Sequence, residues 1–213
     1  GDDLMWGGAG VDSYDGGVDF DRVSFFDYKA TQGAVASLVT QTITNDGFGN
    51  AETMVSVEGL GGGTAFADHF TGDDNANQFV GDAGDTLLGN GGDDQFQLGG
   101  AAGLLDGGAG IDSVNFGSGG TLVVDSDGDG LAEFVETSAG VQVNLISGFM
   151  SDGFGNGGTI ANVENIDGTE FDDFLVGDNG ANTLNGLGGA DLIQGRGGDD
   201  VIRGGDGDDH LAG

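Results

Sequence analysis

A nine-residue period is the feature that most constrains how this chain can fold. Residues 168–212 divide into five consecutive units: GTEFDDFLV, GDNGANTLN, GLGGADLIQ, GRGGDDVIR and GGDGDDHLA. Each unit begins with glycine, has an apolar residue at its eighth place, and has Asp, or once Asn, at its sixth place. A tandem period of this length is a signature of a solenoid, in which every repeat buries its apolar face against its neighbours.

The period divides the chain into repeat blocks and inserts. Residues 1–24, 63–115 and 168–213 are nonapeptide blocks, and the middle block contains one shortened unit, GDAGDTLL, and one degenerate unit at 98–106. Residues 25–62 and 116–167 leave the period and carry alternating, β-prone runs. The sequence therefore predicts a solenoid that is interrupted by two strand-rich inserts.

The two inserts resemble each other. Asp-Gly-Phe-Gly-Asn at 46–50 recurs at 152–156, and Val57-Glu58 recurs as Val163-Glu164. Val141, Val143 and Leu145 alternate as an inward-facing strand would. We expect the inserts to supply longer strands that continue the stack, with a separate small domain budding from the stack as the alternative.

The charge of the chain indicates which partners it can have. There are 37 acidic and four basic residues, for a formal net charge of −33. Such a chain repels itself unless positive charge neutralises it. Nucleic acids and anionic membrane surfaces are excluded as partners because both bind through Lys and Arg, and no apolar run approaches the roughly 18 residues needed to span a bilayer. Absence of cysteine excludes disulfides and thiolate metal sites. Divalent cations remain as the expected partner.

The nonapeptide itself fits a hard cation. Its part G-G-x-G-x-D predicts a turn whose glycines let carbonyl groups point inward, and the remaining three residues predict a short strand. Calcium prefers several oxygen ligands, and this turn offers carbonyls together with a carboxylate. If each unit makes half a coil, Asp173, Asp191 and Asp209 share one edge, with Asn182 and Asp200 on the other. An ion between two turns would then collect oxygens from both.

These tandem units resemble the calcium-binding RTX, or hemolysin-type, repeats of proteins exported by bacterial type I secretion. The resemblance implies an all-β fold, a right-handed parallel β-roll or β-helix solenoid, with Ca²⁺ along both edges, disorder at low calcium and an extracellular or cell-surface location. It assigns the ligand role to the sixth-place aspartates: Asp3, Asp12, Asp21, Asp68, Asp94, Asp112, Asp173, Asp191, Asp200 and Asp209.

Four positions depart from that pattern and are left out of the predicted ligands. Asn77 and Asn182 replace the aspartate, and Asp85 comes one place early in the shortened unit. Gly103 cannot bind an ion through a side chain, so we expect the 98–106 unit to interrupt one edge.

A second calcium motif lies in the later insert, at residues 125–136. Asp125, Asp127, Asp129, Glu133 and Glu136, with Gly130 and the carbonyl of Leu131, resemble an EF-hand calcium loop. The preceding residues look like a strand and no amphipathic helix follows. We therefore predict the loop without its helix pair, acting as an ion-dependent staple; the alternative is an acidic turn without an ion.

No motif for catalysis is present. The chain has no H-E-x-x-H, G-x-S-x-G or P-loop sequence, so we expect no enzyme activity within it. It starts in mid-repeat at Gly1, and we expect it to be a segment of a longer protein. The leading hypothesis is a calcium-binding, calcium-induced folding module of a secreted or cell-surface bacterial protein. The alternatives are an accessory or secretion region of a larger extracellular enzyme or toxin, and an adhesin or surface-layer building block that self-associates or attaches to a surface.

Overall fold

The computed structural model describes residues 1–117, 140–153 and 155–213, together with the strands Leu122–Val124 and Glu133–Val135. This part of the chain is built from strands and contains no helix, so no helix in it is long and apolar enough to cross a membrane. The strands are β1 Leu4–Met5, β2 Ser13–Asp15, β3 Arg22–Ser24, β4 Val35–Ser37, β5 Thr42–Asn45, β6 Glu52–Val55, β7 Gly59–Gly61, β8 His69–Thr71, β9 Gln78–Gly81, β10 Thr86–Leu88, β11 Gln95–Leu98, β12 Leu104–Asp106, β13 Ser113–Asn115, β14 Leu122–Val124, β15 Glu133–Val135, β16 Gln142–Asn144, β17 Phe149–Ser151, β18 Gly157–Ala161, β19 Asn165–Asp167, β20 Phe174–Val176, β21 Thr183–Gly188, β22 Leu192–Gln194, β23 Val201–Asp206 and β24 His210–Ala212.

Consecutive repeats alternate between two large sheets. The first sheet has nine strands in the order β1-β3-β7-β9-β11-β13-β19-β21-β23, and every neighbouring pair in it is parallel. The second sheet has thirteen strands in the order β2-β6-β5-β4-β8-β10-β12-β18-β17-β16-β20-β22-β24. Two successive nonapeptides therefore make one coil of a parallel β-roll, as the sequence predicts.

The register of the strands confirms the length of the coil. Thr183 pairs with Val201 and Leu192 pairs with His210, so that strands stack every 18 residues. Around the shortened unit the offset is 17: His69 pairs with Thr86, and Gln78 with Gln95. The missing residue is lost from a turn, and the pairing on both sheets is kept.

The eighth-place residues form the core between the sheets, except in the terminal coils, where Met5 and Ile202 are only partly buried and Leu211 is exposed. Leu175, Leu184 and Ile193 are fully buried, and the rings of Phe79 and Phe96 stack with their centroids 5.0 Å apart. Burying an aliphatic or aromatic side chain of this size stabilises the fold by about 1.5–3 kcal/mol, so the column of such residues holds consecutive coils together.

Both inserts add an antiparallel meander to the second sheet. In the first, β5 is antiparallel to β4 and β6, while β4 pairs parallel with β8 and β6 pairs parallel with β2. In the second, β16, β17 and β18 occupy the corresponding place between β20 and β12. Insert strands therefore continue the stack, but at three to five residues they are not longer than the repeat strands. Val141 and Val143 face the core, with Gln142 exposed between them.

In the part of the chain that the structure describes, two strands of the second insert pair with each other and not with this stack. β14 and β15 form a two-stranded antiparallel sheet in which Val124 is opposite Glu133, and within the described residues neither strand pairs with the two large sheets.

Candidate metal centres

The turns that precede the strands place the sixth-place side chains in two columns, one along each edge of the roll. We call the column beside the first sheet the first ladder and the column beside the second sheet the second ladder. The first ladder consists of Asp3, Asp21, Glu58, Asn77, Asp94, Asp112, Glu164, Asn182 and Asp200. The second ladder comprises Asp12 with Glu52, Asp68 with Asp85, and Asp173 with Asp191 and Asp209.

A recurring hydrogen bond builds these ladders. The main-chain N–H of Asp173 donates to Oδ1 of Asp191 at 2.9 Å, and the N–H of Asp191 donates to Oδ1 of Asp209 at 3.1 Å. On the other edge the N–H of Asn182 donates to Oδ1 of Asp200 at 3.0 Å. The predicted division of these five residues between two edges is confirmed. Each of these carboxylates thus holds the turn of the preceding coil.

The first-place glycines are required because oxygens crowd their α carbons. A Cβ added at Gly89 would clash with Oδ2 of Asp94 and with the carbonyl oxygen of Gly107 in the next coil. At Gly186 the clashing atoms are Oδ2 of Asp191 and the carbonyl oxygen of Gly204. A carboxylate oxygen and a carbonyl oxygen from successive coils therefore approach the same point, and only glycine leaves room for both.

Five carboxylate oxygens in these turns are buried without a hydrogen-bond partner among the described atoms. They are the Oδ2 atoms of Asp12, Asp21, Asp94, Asp112 and Asp191. The side chains of Asp21, Asp94 and Asp112 are 0% exposed. A buried, unpaired carboxylate oxygen is costly, and a cation relieves that cost. Because the neighbouring donors are carboxylates and carbonyls, the oxygen set fits Ca²⁺, which prefers hard oxygen ligands.

Burial also changes the acidity of the ladder residues. Burial raises the pKa of Asp94 to about 7, with the charge of Asp112 adding to the effect. Burial raises the pKa of Asp85 to about 7 and that of Asp112 and Asp173 to about 6. These carboxylates resist ionisation because their anions lack water and lie close to like charges. A bound cation would hold them in the ionised form.

Asp85, left out of the predicted ligands, occupies a ladder position. Its Oδ1 accepts the N–H of Asp68 at 2.8 Å and its Oδ2 accepts the N–H of Asp82 at 2.7 Å. The sequence could have identified Asp85 as a ladder residue, because a strand directly follows it. The residue missing from the shortened unit is therefore missing from the turn before Asp85.

The carboxylates of Asp68 and Asp173 accept hydrogen bonds from a threonine in their own turn. At Asp68 the N–H and the hydroxyl of Thr64 donate to Oδ2 and Oδ1, at 2.8 and 3.0 Å. Thr169 makes the same two bonds to Asp173, at 2.6 and 2.9 Å. Both aspartates also accept an N–H from an insert, and neither has an oxygen without a partner. Threonine in place of the second glycine marks both positions in the sequence.

Three glutamates join the ladders although the nonapeptide pattern did not identify them. Glu58 accepts the N–H of Asp21 at 3.0 Å, and Glu164 accepts the N–H of Asp112 at 2.8 Å. Glu52 accepts the N–H of Asp12 at 3.0 Å and the hydroxyl of Tyr14 at 3.2 Å, and burial raises the pKa of Glu52. The recurrence of Val-Glu in both inserts is the signal that could have found two of them.

Gly103 has no side chain to offer, and its carbonyl accepts the N–H of Thr159 at 3.1 Å, so the second ladder has no carboxylate in that coil.

Most of the EF-hand-like loop at 125–136 lies outside the described residues, including Asp125, Asp127, Asp129, Leu131 and Glu136, and Glu133 begins β15. Its flanks are paired strands rather than helices, and the ligand role of these residues stays a prediction.

Across the described parts of the chain, no group of three or more His, Cys, Asp or Glu side chains converges on one point. This agrees with the ladders, which bring together two carboxylates of successive coils and main-chain carbonyls rather than three or more acidic side chains.

The comparisons with known proteins agree with this geometry. A scan of protein families finds the RTX calcium-binding nonapeptide repeat in four copies, at residues 1–23, 63–88, 162–193 and 186–213. A search of curated proteins finds no match. The matched segments fall in all three repeat blocks, although residues 89–115 of the middle block are not matched. The chain belongs to the RTX repeat family, whose repeats form calcium-binding structural modules typical of secreted bacterial proteins.

Proposed function

We propose that this chain is a calcium-induced folding module, without catalytic activity of its own, of a bacterial protein that is secreted or held at the cell surface. Ca²⁺ would be held at the turns by the ladder aspartates together with main-chain carbonyls, and it would supply the positive charge that the chain lacks. The observation that carries this proposal is the set of buried, unpartnered Oδ2 atoms of Asp12, Asp21, Asp94, Asp112 and Asp191.

Electrostatics explains why folding would depend on the ion. Neighbouring strands lie about 4.8 Å apart, so the ladders stack carboxylates at that spacing. Two like charges about 5 Å apart near a protein surface repel each other by roughly 3 kcal/mol. Only four basic residues are available against 37 acidic ones, and the one ion pair among the described residues joins the N-terminal amine to Asp19. The chain therefore needs external cations to form the roll.

Binding to the folded state alone couples the ion to folding. At a free concentration of 100 times the dissociation constant, one site stabilises the fold by about 2.7 kcal/mol, and several sites add together. Such a module stays unfolded where calcium is scarce and folds where calcium is plentiful, which suits a protein that acts outside the cell.

Circular dichroism and small-angle X-ray scattering test the proposal. In a chelator we expect the chain to lose its β-type spectrum and to expand, and millimolar calcium should restore both signals. Magnesium should restore them poorly, because it requires a tighter octahedral shell. A spectrum and a radius that do not change between chelator and calcium would contradict the proposal.

A further inference from the structure

We infer that Glu58 and Glu164 each complete a calcium site where an insert interrupts the first ladder, and that Asn77 and Asn182 close the next step with a hydrogen bond instead of an ion. This inference rests on the proposed calcium-dependent folding. Each insert takes the place of a repeat turn, so the ladder would lose its carboxylate there. The residues at 58 and 164 restore it.

The carboxylate of each glutamate accepts the same main-chain N–H that the carboxylate of a repeat aspartate accepts from the preceding coil. The N–H of Asp21 donates to Oε2 of Glu58 at 3.0 Å, and the N–H of Glu58 donates back to the carbonyl of Asp21 at 3.0 Å. Asp112 and Glu164 make the same exchange, at 2.8 and 3.1 Å. The additional methylene of glutamate lets the carboxylate reach the N–H that an aspartate reaches in a regular turn.

The aspartate that faces each glutamate has a carboxylate oxygen without a hydrogen-bond partner. Oδ2 of Asp21 and Oδ2 of Asp112 are buried and accept no hydrogen bond, and both side chains are 0% exposed. The two Oδ2 atoms take no part in the contacts with the glutamates, because those contacts use the main-chain N–H and C=O groups of the two aspartates. The ladder steps from Asp21 to Glu58 and from Asp112 to Glu164 therefore present the same unsatisfied oxygen as the regular step at Asp94.

A main-chain carbonyl completes the resemblance to a regular turn. A Cβ at Gly16 would clash with the carbonyl oxygen of Ser56, and one at Gly107 would clash with that of Asn162. In a regular turn the corresponding oxygen is the carbonyl oxygen of the first-place glycine in the next coil. Ser56 and Asn162 have φ angles of 53° and 51°, a left-handed conformation that is uncommon outside glycine. Both inserts thus place a carbonyl where the repeat has one.

The following step of the ladder differs. Nδ2 of Asn77 donates to the carbonyl of Glu58 at 3.3 Å, and Nδ2 of Asn182 donates to that of Glu164 at 3.2 Å. The amide oxygens are used within their own turns, where they accept the N–H of Asp73 and of Asp178. The NH₂ group points toward the preceding coil, where a bound ion would need an oxygen ligand. The amide joins these two coils without an ion.

Ion counting on the full chain tests the glutamate sites. Glu58→Gln and Glu164→Gln keep an acceptor for the N–H of the facing aspartate but remove the charge, whereas Glu170→Gln removes the same charge from an exposed side chain. Isothermal titration calorimetry and equilibrium dialysis with calcium should show a loss of about one bound ion for each ladder variant and none for the control. Circular dichroism at saturating calcium checks that the roll has formed.

Two outcomes separate this inference from the proposed function. If the ladder variants bind as many ions as the wild type, the glutamate sites are wrong although the module still folds with calcium. If the wild type binds no calcium, the proposed function itself fails.

Asparagine variants provide a gain-of-site test. Asn77→Asp and Asn182→Asp should each add about one calcium ion, because a carboxylate replaces the amide donor. Combining Asn77→Asp with Glu58→Gln should remove the gain, since the new site needs a carboxylate on both coils. Absence of any gain would overturn the role of the asparagines. A gain that persists in the double variant would overturn the role of Glu58, and this holds even if a single glutamine variant does not fold.

Discussion

The main-chain N–H of Asp94 donates a 2.8 Å hydrogen bond to Oδ1 of Asp112, eighteen residues later, while Oδ2 of Asp112 is buried without a partner. One oxygen of the carboxylate thus positions the preceding coil, and the other is left for a cation. This division of labour makes each ladder aspartate both a structural cap and a candidate ligand.

Asp112→Asn should separate these two roles. The amide oxygen can still accept the N–H of Asp94, but the variant lacks the charge for an ion. We expect a weaker dependence on calcium, with a loss of about 2.7 kcal/mol of the free energy of unfolding at a calcium concentration of 100 times the dissociation constant. Urea denaturation in calcium and in chelator measures the change. Asp74→Asn, at an exposed position, is the matched control, and an equal loss in both variants would contradict the assignment.

Calcium affinity should fall as the pH is lowered from about 7 to about 5. Asp94 and Asp112 have an unpartnered oxygen, and the pKa of Asp94 is raised to about 7 and that of Asp112 to about 6, so protons compete with the ion in this range. Calorimetry in buffers of different ionisation enthalpy should detect protons released on calcium binding. An affinity independent of pH between 5 and 7.5 would show that these carboxylates do not bind the ion.

In chelator the pH dependence should have the opposite sign. These aspartates have folded pKa values above the unfolded value of about 3.9, so their protonated forms stabilise the ion-free fold. That stability is fully present below about pH 4 and is lost as the pH rises to about 7. β-type circular dichroism of the chelated chain should therefore increase on acidification. A chelated chain that gains no structure between pH 7.5 and 4 would contradict this expectation.

Gly89→Ala should be more destabilising than Gly8→Ala. A methyl group at Gly89 meets Oδ2 of Asp94 and the carbonyl of Gly107, whereas at Gly8 it meets nothing within 4 Å and only the φ of 79° is unfavourable. We expect a cost of about 1–2 kcal/mol at Gly8, the usual cost of the left-handed conformation, and a larger one at Gly89. Chemical denaturation at saturating calcium measures both. Equal costs would show that the oxygens over Gly89 can move aside.

Arg196→Gly should stabilise the roll. Arg196 is exposed and has a φ of 82° at the second place of its unit, where Gly8, Gly17, Gly108 and Gly205 have positive φ in other units, as do Asn90 and Leu187. Glycine relieves a conformational cost of about 1–2 kcal/mol, less the entropy that glycine gains in the unfolded chain. Arg196→Lys keeps both the charge and the conformation and should leave the free energy of unfolding unchanged. If Arg196→Gly is less stable than the lysine variant, the arginine makes a contribution that outweighs the strain.

Much of the fold could be predicted because the repeat is local. Glycine at the first place, aspartate at the sixth and an apolar residue at the eighth each meet a requirement within one turn and its strand, so their period of nine predicts two parallel sheets and two edges. The pairing of Thr183 with Val201 and the hydrogen bond from Asp173 to Asp191 follow from that period alone.

The insert topology could not be predicted in the same way. β5 is antiparallel to both of its neighbours, yet β4 and β6 rejoin the parallel stack against β8 and β2. Alternating apolar residues indicate that such strands exist, but they do not specify the partner or the direction, because these depend on where the chain returns after each turn.

The period of nine predicted a solenoid, its coil of two nonapeptides and the aspartates that line its edges, because all three are repeated in local, periodic form, and the resemblance to RTX repeats implied the β-roll. The side chains that complete the ladders at the irregular coils are set by the three-dimensional packing of the inserts. Asp21 meets Glu58 and Asp112 meets Glu164 across 37 and 52 residues, and Thr64 and Thr169 satisfy aspartates that the pattern treats like the others. The physical reason is that a carboxylate is satisfied by whichever N–H, hydroxyl or cation the neighbouring coil brings to it, and strand pairing across the inserts sets that neighbour.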